Sequence, residues 1–414
     1  MNTTETLRPL LAANPWVPPG LIMDFALSQS PQLRAAAAAS TAAGPDLLGA
    51  LALDEEDDVR RLVAANPDSP QEVLARLAGE EQEPIRAAVA ASPAAEASLV
   101  DVLAGDTADH VRAAAVGNPR CPRSRLLALA ADRSLRVRHC LLQSPEATPE
   151  ALASAYEPDD FMCRLFMAGN PAASQASLEK LAADSTTAIR LAVARNRLAS
   201  PDVLDRLGRD ADEMVKAAAL RHPAAPRYLV VLAADDQDES SRQAAAASPA
   251  CPPPQLYALA ADSAPSVRQT AAGNLALPEA AWFALADDAE PAVRAALAGN
   301  RSVRAPVLTG LAADAAALVR RRVARSVGAG PALLERLAGD SDVQVRAGIA
   351  RHPAASAAIH RRLLDDLCPP VREALALGSR HEDVLLALAG SSADVLGKVD
   401  RPGDVLRSVR RAVS

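Results

Sequence analysis

The sequence predicts an all-α protein made of about sixteen stacked repeats of 26 residues, each holding two short helices. A basic residue stands at every twenty-sixth position from Arg8 to Lys398, although Lys and Arg make up only 44 of the 414 residues. The phrase LAGDSDVQVRAGIARHP at 337–353 returns as LAADSAPSVRQTAAGNL at 259–275. A fixed period of this length is the sequence signature of a repeat array, in which neighbouring units stabilise one another.

The first half of each repeat predicts a short helix, which we call helix A. With the marker basic residue as position zero, a large apolar residue stands at −12 and again at −9, as Leu178 and Leu181 do before Arg190. Two apolar residues three positions apart lie on one face of an amphipathic helix. Proline just before them, as at Pro252, suits a helix start. We expect about eight residues, partly in 3-10 form.

The second half of each repeat predicts another helix, helix B. Position −1 is aliphatic in most repeats, as Ile189 is, and position +3 or +4 is apolar, as Val193 is. This spacing is again helical. The helix should end at +6 and +7, where Asn170 precedes Pro171 in one repeat. Proline keeps the residue before it out of the α region, and asparagine tolerates a left-handed exit.

An acid at −6 and the basic residue at zero predict a structural ladder along the array. Twelve of the sixteen repeats carry the acid, and the planar fork of arginine fits a carboxylate in a bidentate pair. We expect each arginine to reach the acid of its own or of the adjacent repeat; the alternative is a stripe that binds an acidic partner. The clearest ladder candidates are Asp184, Arg190, Asp262, Arg268, Asp288, Arg294, Asp340 and Arg346.

Composition and charge narrow the functional classes. The net charge of −7 gives no general attraction to nucleic-acid phosphates, and an aromatic share of 2% leaves few rings for stacking on bases. No signal peptide and no apolar run of about 18 residues is visible. The five cysteines are isolated. We therefore expect a cytoplasmic protein with free thiols and no membrane partner.

The repeat resembles the leucine-rich repeat variant family and, more broadly, the HEAT-like solenoids. Leu178, Leu181, Asp184, Arg190 and Asn196 form a clean copy of the family's pattern. The resemblance implies a right-handed α-solenoid superhelix with a binding groove, and it does not imply an enzyme. We assign residues 1–378 to the solenoid, with 1–28 as an N-terminal capping repeat, and residues 379–414 to a degenerate C-terminal capping repeat.

Repeat positions that vary without disturbing the core are free to recognise a partner. Position +5 is Ala or Gly in many repeats but arginine in four, and the run Arg320–Arg322 adds further positive charge. We expect partner binding at Arg195, Asn196, Arg221, His222, Arg321, Arg325, Arg351 and His352. A helix-capping role for the residue at +6 and a solvated face for the arginines are the alternatives.

These features predict a non-enzymatic scaffold or adaptor that binds a protein or peptide with acidic groups, as a monomer or weak oligomer. None of the six histidines forms a metal-spaced pair with a nearby acid, so we expect no metal, no cofactor and no catalytic residue. The alternative is nucleic-acid binding of the DNA-repair type, because some HEAT-like solenoids cradle DNA. An enzyme is the least favoured function.

Overall fold

The structure, a computed structural model, describes residues 3–390 of the chain, and within that range it is helical without any strand. The prediction of an all-α solenoid is confirmed. Residues 3–155 together with residues 360–390 form one compact unit, and Tyr156–Ile359 form another. The hand of the superhelix stays a prediction.

The first unit opens with twelve helices that we number in chain order. They are α1 (Thr3–Ala12), α2 (Pro19–Ala26), α3 (Pro31–Ala39), α4 (Pro45–Leu51), α5 (Asp57–Ala65), α6 (Gln71–Leu77), α7 (Glu83–Ala91), α8 (Ala97–Leu103), α9 (Asp109–Val116), α10 (Arg123–Leu129), α11 (Leu135–Gln143) and α12 (Pro149–Ala155). From α2 onward, each even-numbered helix is a helix A, and the helix after it is the helix B of the same repeat.

The second unit continues the alternation. It contains α13 (Phe161–Gly169), α14 (Gln175–Leu181), α15 (Thr187–Arg195), α16 (Pro201–Leu207), α17 (Glu213–Leu220), α18 (Arg227–Ala234), α19 (Glu239–Ala247), α20 (Pro253–Leu259), α21 (Pro265–Gly273), α22 (Trp282–Ala286), α23 (Pro291–Gly299), α24 (Ala305–Leu311), α25 (Ala317–Val323), α26 (Pro331–Leu337) and α27 (Val343–Ala350). A 3-10 turn, Glu279–Ala281, precedes α22. The expected 3-10 character of helix A therefore occurs in this repeat, and the other A helices are α-helical where described.

Three more helices end the described chain: α28 (Ala357–Leu364), α29 (Pro369–Gly378) and α30 (Glu382–Ala389). Within each unit, the B helices pack against the B helix of the next repeat, for example α21 against α23 and α23 against α25. The apolar positions predicted to form the core are buried: Leu178 and Ile189 are fully shielded from solvent, as is Val193. Small residues at +4, such as Ala194, let these B helices lie close together.

Helix B ends differently from the expectation in one respect. Asn196, which follows α15, has φ −72° and ψ 122°, so the exit is extended and not left-handed. Asn170 and Asn300 leave their helices in the same way, each in an extended conformation. A proline follows Asn170 and forces the extended form, yet Asn196 is followed by an arginine. The extended exit is therefore a property of the repeat and not of proline alone.

In several repeats an asparagine at +6 ties the repeat to the one before it. Asn196 Nδ2 donates hydrogen bonds to the carbonyl oxygens of Ala168 and Asn170, both at 2.8 Å. Its Oδ1 accepts a hydrogen bond from the backbone N–H of Leu198 at 2.9 Å. Asn66, Asn118 and Asn300 make the corresponding bonds to their own preceding repeats. We call this arrangement the asparagine staple.

The staple also joins the two ends of the described chain within the first unit. Asn14 Nδ2 donates to the carbonyl oxygens of Ala376 at 2.8 Å and Ser379 at 2.9 Å, across more than 360 residues. Helix α1 packs against α29 and α30, and the Arg380 guanidinium lies 5.4 Å from the centre of the Trp16 ring. The first repeat therefore follows the last complete repeat as if the two were consecutive. Most of the predicted C-terminal cap, 379–414, lies outside the described residues, and both capping assignments stay predictions.

Candidate functional site

The arginine at position zero is held on two sides. In α15, Arg190 Nε and Nη2 donate to the Asp210 carboxylate of the following repeat at 2.7 and 2.9 Å. Its Nη1 donates to the backbone carbonyls of Asp184 and Ser185 in its own repeat at 2.9 and 3.1 Å. These four bonds use four of the five N–H groups of a guanidinium. The arginine thus joins the turn before its own helix to the acid of the next repeat.

This two-sided contact recurs along both units as an inter-repeat ladder. Bidentate pairs of the same kind are Arg34 with Asp54, Arg86 with Asp106, Arg112 with Asp132, Arg242 with Asp262, Arg268 with Asp288, Arg294 with Asp314, and Arg320 with Asp340. Asp184 accepts from Arg164 at 2.9 Å. Arg346 donates to the Asp340 carbonyl at 2.8 Å. Since these side chains hold the repeats together, these arginines at position zero are not free for a partner.

The hydrogen bonds of the ladder shift the pKa values of the residues that form it. The hydrogen bonds from Arg190 hold the pKa of Asp210 below its usual value, against the opposing effect of burial, and the N–H of Asp212 adds to the lowering. The pKa of Arg190 is raised by the same pairing. Asp106, Asp132, Asp262, Asp288 and Asp314 have lowered pKa values for the same first cause, the hydrogen bond from the paired arginine. The ionised ladder is the stable form at neutral pH.

Three of the residues expected to bind a partner lie buried between repeats. Asn196 is the staple described above. His222 occupies the same position: its Nδ1 accepts from the N–H of Ala224 at 3.0 Å, so its Nε2 carries the proton and donates to the Asn196 carbonyl at 3.0 Å. Burial lowers the pKa of His222. His352 makes the same pair of contacts, with Nε2 3.1 Å from the Ser326 carbonyl. These side chains stabilise the array and are not available to a partner.

A fourth expected residue, Arg321, is already paired. Its Nε donates to Asp342 at 2.9 Å, and this contact lowers the pKa of the Asp342 carboxyl to about 2, together with the N–H of Val345. Asp342 is also the N-cap of α27, where it accepts from the N–H groups of Gln344 and Val345. Arg321 therefore supports the start of the next helix B.

Arg195 and Arg221 meet at one groove of the second unit. The groove has a volume of about 520 Å³ and lies between the C-terminal ends of α15 and α17 and the start of α19. Glu213, Met214 and Ser240 line its other side, and alanines form its floor. Both guanidiniums are exposed, and no ion pair engages them among residues 3–390.

The two remaining arginines, Arg325 and Arg351, occupy the same repeat position and are also exposed. Between the two arginine pairs, position +5 is small in three consecutive repeats: Ala247, Gly273 and Gly299. Here a second groove of about 400 Å³ is lined by Gln243, Gln269 and Thr270 together with Ala247 and Gly273. We call the surface from Arg195 to Arg351 the helix-B edge.

Sequence reasoning missed the two glutamines of the helix-B edge. The signal was present, because position +1 is alanine in many repeats but glutamine in two consecutive ones, 243 and 269. Nothing in the one-dimensional pattern placed +1 beside +5 of the preceding repeat. The groove requires the stacking of B helices, which only the structure supplies.

The buried thiols are consistent with a structural role. Burial raises the pKa of Cys121 and of Cys251 to about 11 in each case, so neither forms the thiolate that a nucleophile or metal ligand needs at neutral pH. All five cysteines are free. Within residues 3–390, the helices are all too short or too polar to span a bilayer.

Comparison with known proteins gives similar folds and no family assignment. No family model and no curated protein matches the chain. A solved leucine-rich repeat variant with a novel repetitive motif covers 53% of this chain and 87% of its own, at 25% identity and a TM-score of 0.33. Importin β covers 95% of this chain at 14% identity and a TM-score of 0.27, and Kap121p bound to RanGTP covers 95% at 13% identity and a TM-score of 0.28.

The chain is thus similar to a leucine-rich repeat variant and to HEAT-repeat karyopherins, the two groups that its repeats resemble. It spans 60% of the importin β chain and 56% of the Kap121p chain. At TM-scores below 0.5, these superpositions do not bear on what this chain binds. The solenoid assignment rests on its own paired helices and on the staples and ladder between them.

Proposed function

We propose that the chain is a non-enzymatic scaffold whose helix-B edge binds an extended, acidic segment of a partner protein. The observation that supports this most is the contrast between its two rows of arginine. The row at zero is saturated by carboxylates and carbonyls, as at Arg190. The arginines at +5 are exposed and engaged in no ion pair among residues 3–390, as at Arg195 and Arg221.

The groove between Arg195 and Arg221 suits an acidic side chain. A free guanidinium offers a planar fork that matches a carboxylate or a phosphate. The alanine floor, Ala217 and Ala218, lets a peptide backbone approach closely, and Met214 supplies an adaptable apolar wall. This combination favours a peptide over an isolated anion.

The middle of the helix-B edge suits a peptide backbone. Gln243 and Gln269 each carry an amide that can both donate to and accept from main-chain groups. Four repeat steps separate Arg221 from Arg325. At about 9 Å per packed helix, this is roughly 35 Å, or about eleven residues of extended chain. The preferred partner therefore carries two acidic clusters about ten residues apart.

A labelled synthetic peptide with two triglutamate clusters joined by ten Gly/Ser residues tests the proposal by fluorescence anisotropy. The variant Arg195→Ala/Arg221→Ala should weaken binding by about fivefold or more, since each exposed charge pair contributes modestly. Arg197→Ala is the matched control, because Arg197 is also exposed but does not line the groove. Equal loss in both variants would contradict a specific site.

Two comparison ligands test which charge and which class of molecule the site prefers. A peptide with lysine in place of glutamate should not bind. A DNA duplex at low salt should bind no better than the acidic peptide. If the duplex bound tightly and lost affinity steeply with added salt, nucleic acid would replace the acidic peptide as the ligand class.

A further inference from the structure

A second surface lies on the A helices of the second unit, away from the helix-B edge. Positions −11 and −10 face solvent on helix A. In α14, α16 and α26 they carry charged residues: Glu179 and Lys180, Asp205 and Arg206, and Glu335 and Arg336. Charged residues at solvent-facing helix positions are the ordinary case for a soluble protein.

The A helices between those flanks depart from this rule. Leu232 in α18 is 65% exposed, Tyr257 in α20 is 52% exposed, and Phe283 in α22 is 66% exposed. We call these three residues the apolar window. Tyr257 and Phe283 stand at −11 and Leu232 at −10, so three consecutive A helices each carry a large apolar side chain that is exposed to solvent. Clusters of exposed apolar side chains mark interaction sites.

The apolar window continues into a groove beside Phe283. This groove has a volume of about 420 Å³ and is lined by Pro306, Val307 and Gly310. A Cβ added at Gly310 would meet no atom within 4 Å, so the floor is open. The groove is large enough to accept one bulky aliphatic or aromatic side chain.

The rim of the apolar window is acidic. Asp235 and Asp287 stand at the same repeat position, next to Leu232 and Phe283; both are exposed, and no ion pair engages either among residues 3–390. The other acids of the groove, Asp288 and Asp314, are paired with the ladder arginines. Two unpaired carboxylates beside exposed apolar side chains favour a ligand that is both apolar and basic.

We propose that the apolar window binds an amphipathic helix of a partner protein, with large apolar side chains on one face and lysine or arginine flanking them. From α18 to the groove at α24 there are three repeat steps, about 27 Å at 9 Å each. A helix of about 18 residues covers that length. This inference does not rest on the acidic-peptide proposal, because it concerns other helices and a ligand of opposite charge.

The acidic rim of the apolar window argues against two other occupants, a second copy of this chain and an anionic membrane. A second copy docked symmetrically on the same surface would bring Asp235 and Asp287 close to their own equivalents, and like charges oppose association. An anionic membrane would meet the same two carboxylates, and the flanking pairs Asp205–Arg206 and Glu335–Arg336 add no net positive charge to attract it. A basic helix meets no such repulsion.

The test uses the full chain and a fluorescein-labelled 18-residue helix built from leucine and lysine. Tyr257→Ser/Phe283→Ser should weaken its binding at least tenfold. Leu127→Ser is the matched control, because Leu127 occupies the same repeat position as these residues and is 49% exposed on α10. It should leave the affinity unchanged, as should Arg195→Ala/Arg221→Ala. Equal affinities for all four proteins would overturn the proposal.

Reversing the charge of the two rim carboxylates provides a second test, in which the apolar side chains are unchanged. Asp235→Lys/Asp287→Lys should lower affinity for the leucine–lysine helix and raise it for a leucine–glutamate counterpart. No change in preference would overturn the proposed basic ligand. Self-association in sedimentation velocity that is abolished by Phe283→Ser would assign the surface to a second copy instead. Binding to anionic vesicles that is abolished by Phe283→Ser would assign it to a membrane, and either outcome overturns the proposal.

Discussion

Removing one ladder carboxylate should destabilise the array far more than removing an exposed one of the same geometry. Asp210→Ala deletes two hydrogen bonds from Arg190, at 2.7 and 2.9 Å, between side chains that are 17% and 9% exposed. It also deletes the bond from the N–H of Asp212 at 2.9 Å. A charge-assisted pair contributes about 1.5–3 kcal/mol, and a single hydrogen bond of the Asx-turn type to a backbone N–H contributes about 1 kcal/mol.

We therefore expect Asp210→Ala to lower the free energy of unfolding by about 3 kcal/mol, measured by urea denaturation with circular dichroism. The lost acceptor is partly offset because Arg190 keeps its two carbonyl partners. The control is Asp101→Ala. Asp101 accepts a bidentate pair from Arg125 in the next repeat at 2.7 and 3.0 Å, but its side chain is 40% exposed.

Asp101→Ala should leave the urea midpoint close to that of the parent chain, because exposed ion pairs contribute little. Repeat arrays need not unfold in one step, so the loss should appear first in the transition that reports on the second unit. Equal effects of the two substitutions would refute the reasoning, since burial would then not distinguish the ladder from a surface pair.

Three further predictions follow from the contacts between repeats. Asn196→Ala should lower the free energy of unfolding by about 2–3 kcal/mol, because two buried carbonyls lose their hydrogen-bond donor. Asn196→His should be tolerated, since His222 fills the same repeat position. Urea unfolding of the two variants compares them. Acid should unfold the chain, because the pKa values of the ladder carboxyls are lowered in the folded state. The stabilisation that these carboxylates provide is full above about pH 4 and is lost as the pH falls below that value. Circular dichroism recorded against pH measures this loss. Cys121 and Cys251 should resist a thiol reagent until urea unfolds the chain, because burial suppresses their thiolates.

The repeat period made the helices predictable. Leu178 belongs to the apolar pattern of helix A and Ile189 to that of helix B, and both are buried as those patterns predict. The ladder's partners were only half predictable, because a sequence with one acid and one arginine per repeat fits pairing within a repeat or between repeats. In the structure Arg190 pairs with the carboxylate of Asp210 in the next repeat. Its bond to Asp184 of its own repeat is to the backbone carbonyl and not to the acid.

The candidate site was predictable only in part, because the sequence does not show burial. Arg195 and His222 both looked variable and polar, yet one is exposed and the other is 6% exposed. The contact of Asn14 with Ala376 could not be anticipated, since the two residues lie 362 positions apart in the sequence and no repeat pattern links them. Tyr257 and Phe283 stand at −11, where α14, α16 and α26 carry acids, but only its exposure distinguishes Tyr257 from a core residue.

The central claim is that the arginines at zero hold the repeats while those at +5 bind a partner. This can be checked by hydrogen exchange, read by mass spectrometry on the full chain with and without the double-triglutamate peptide. We expect slower exchange at the C-terminal ends of α15 and α17, next to Arg195 and Arg221. Unchanged exchange there, with protection confined to the turns between Asp184 and Arg190 or their equivalents, would contradict it.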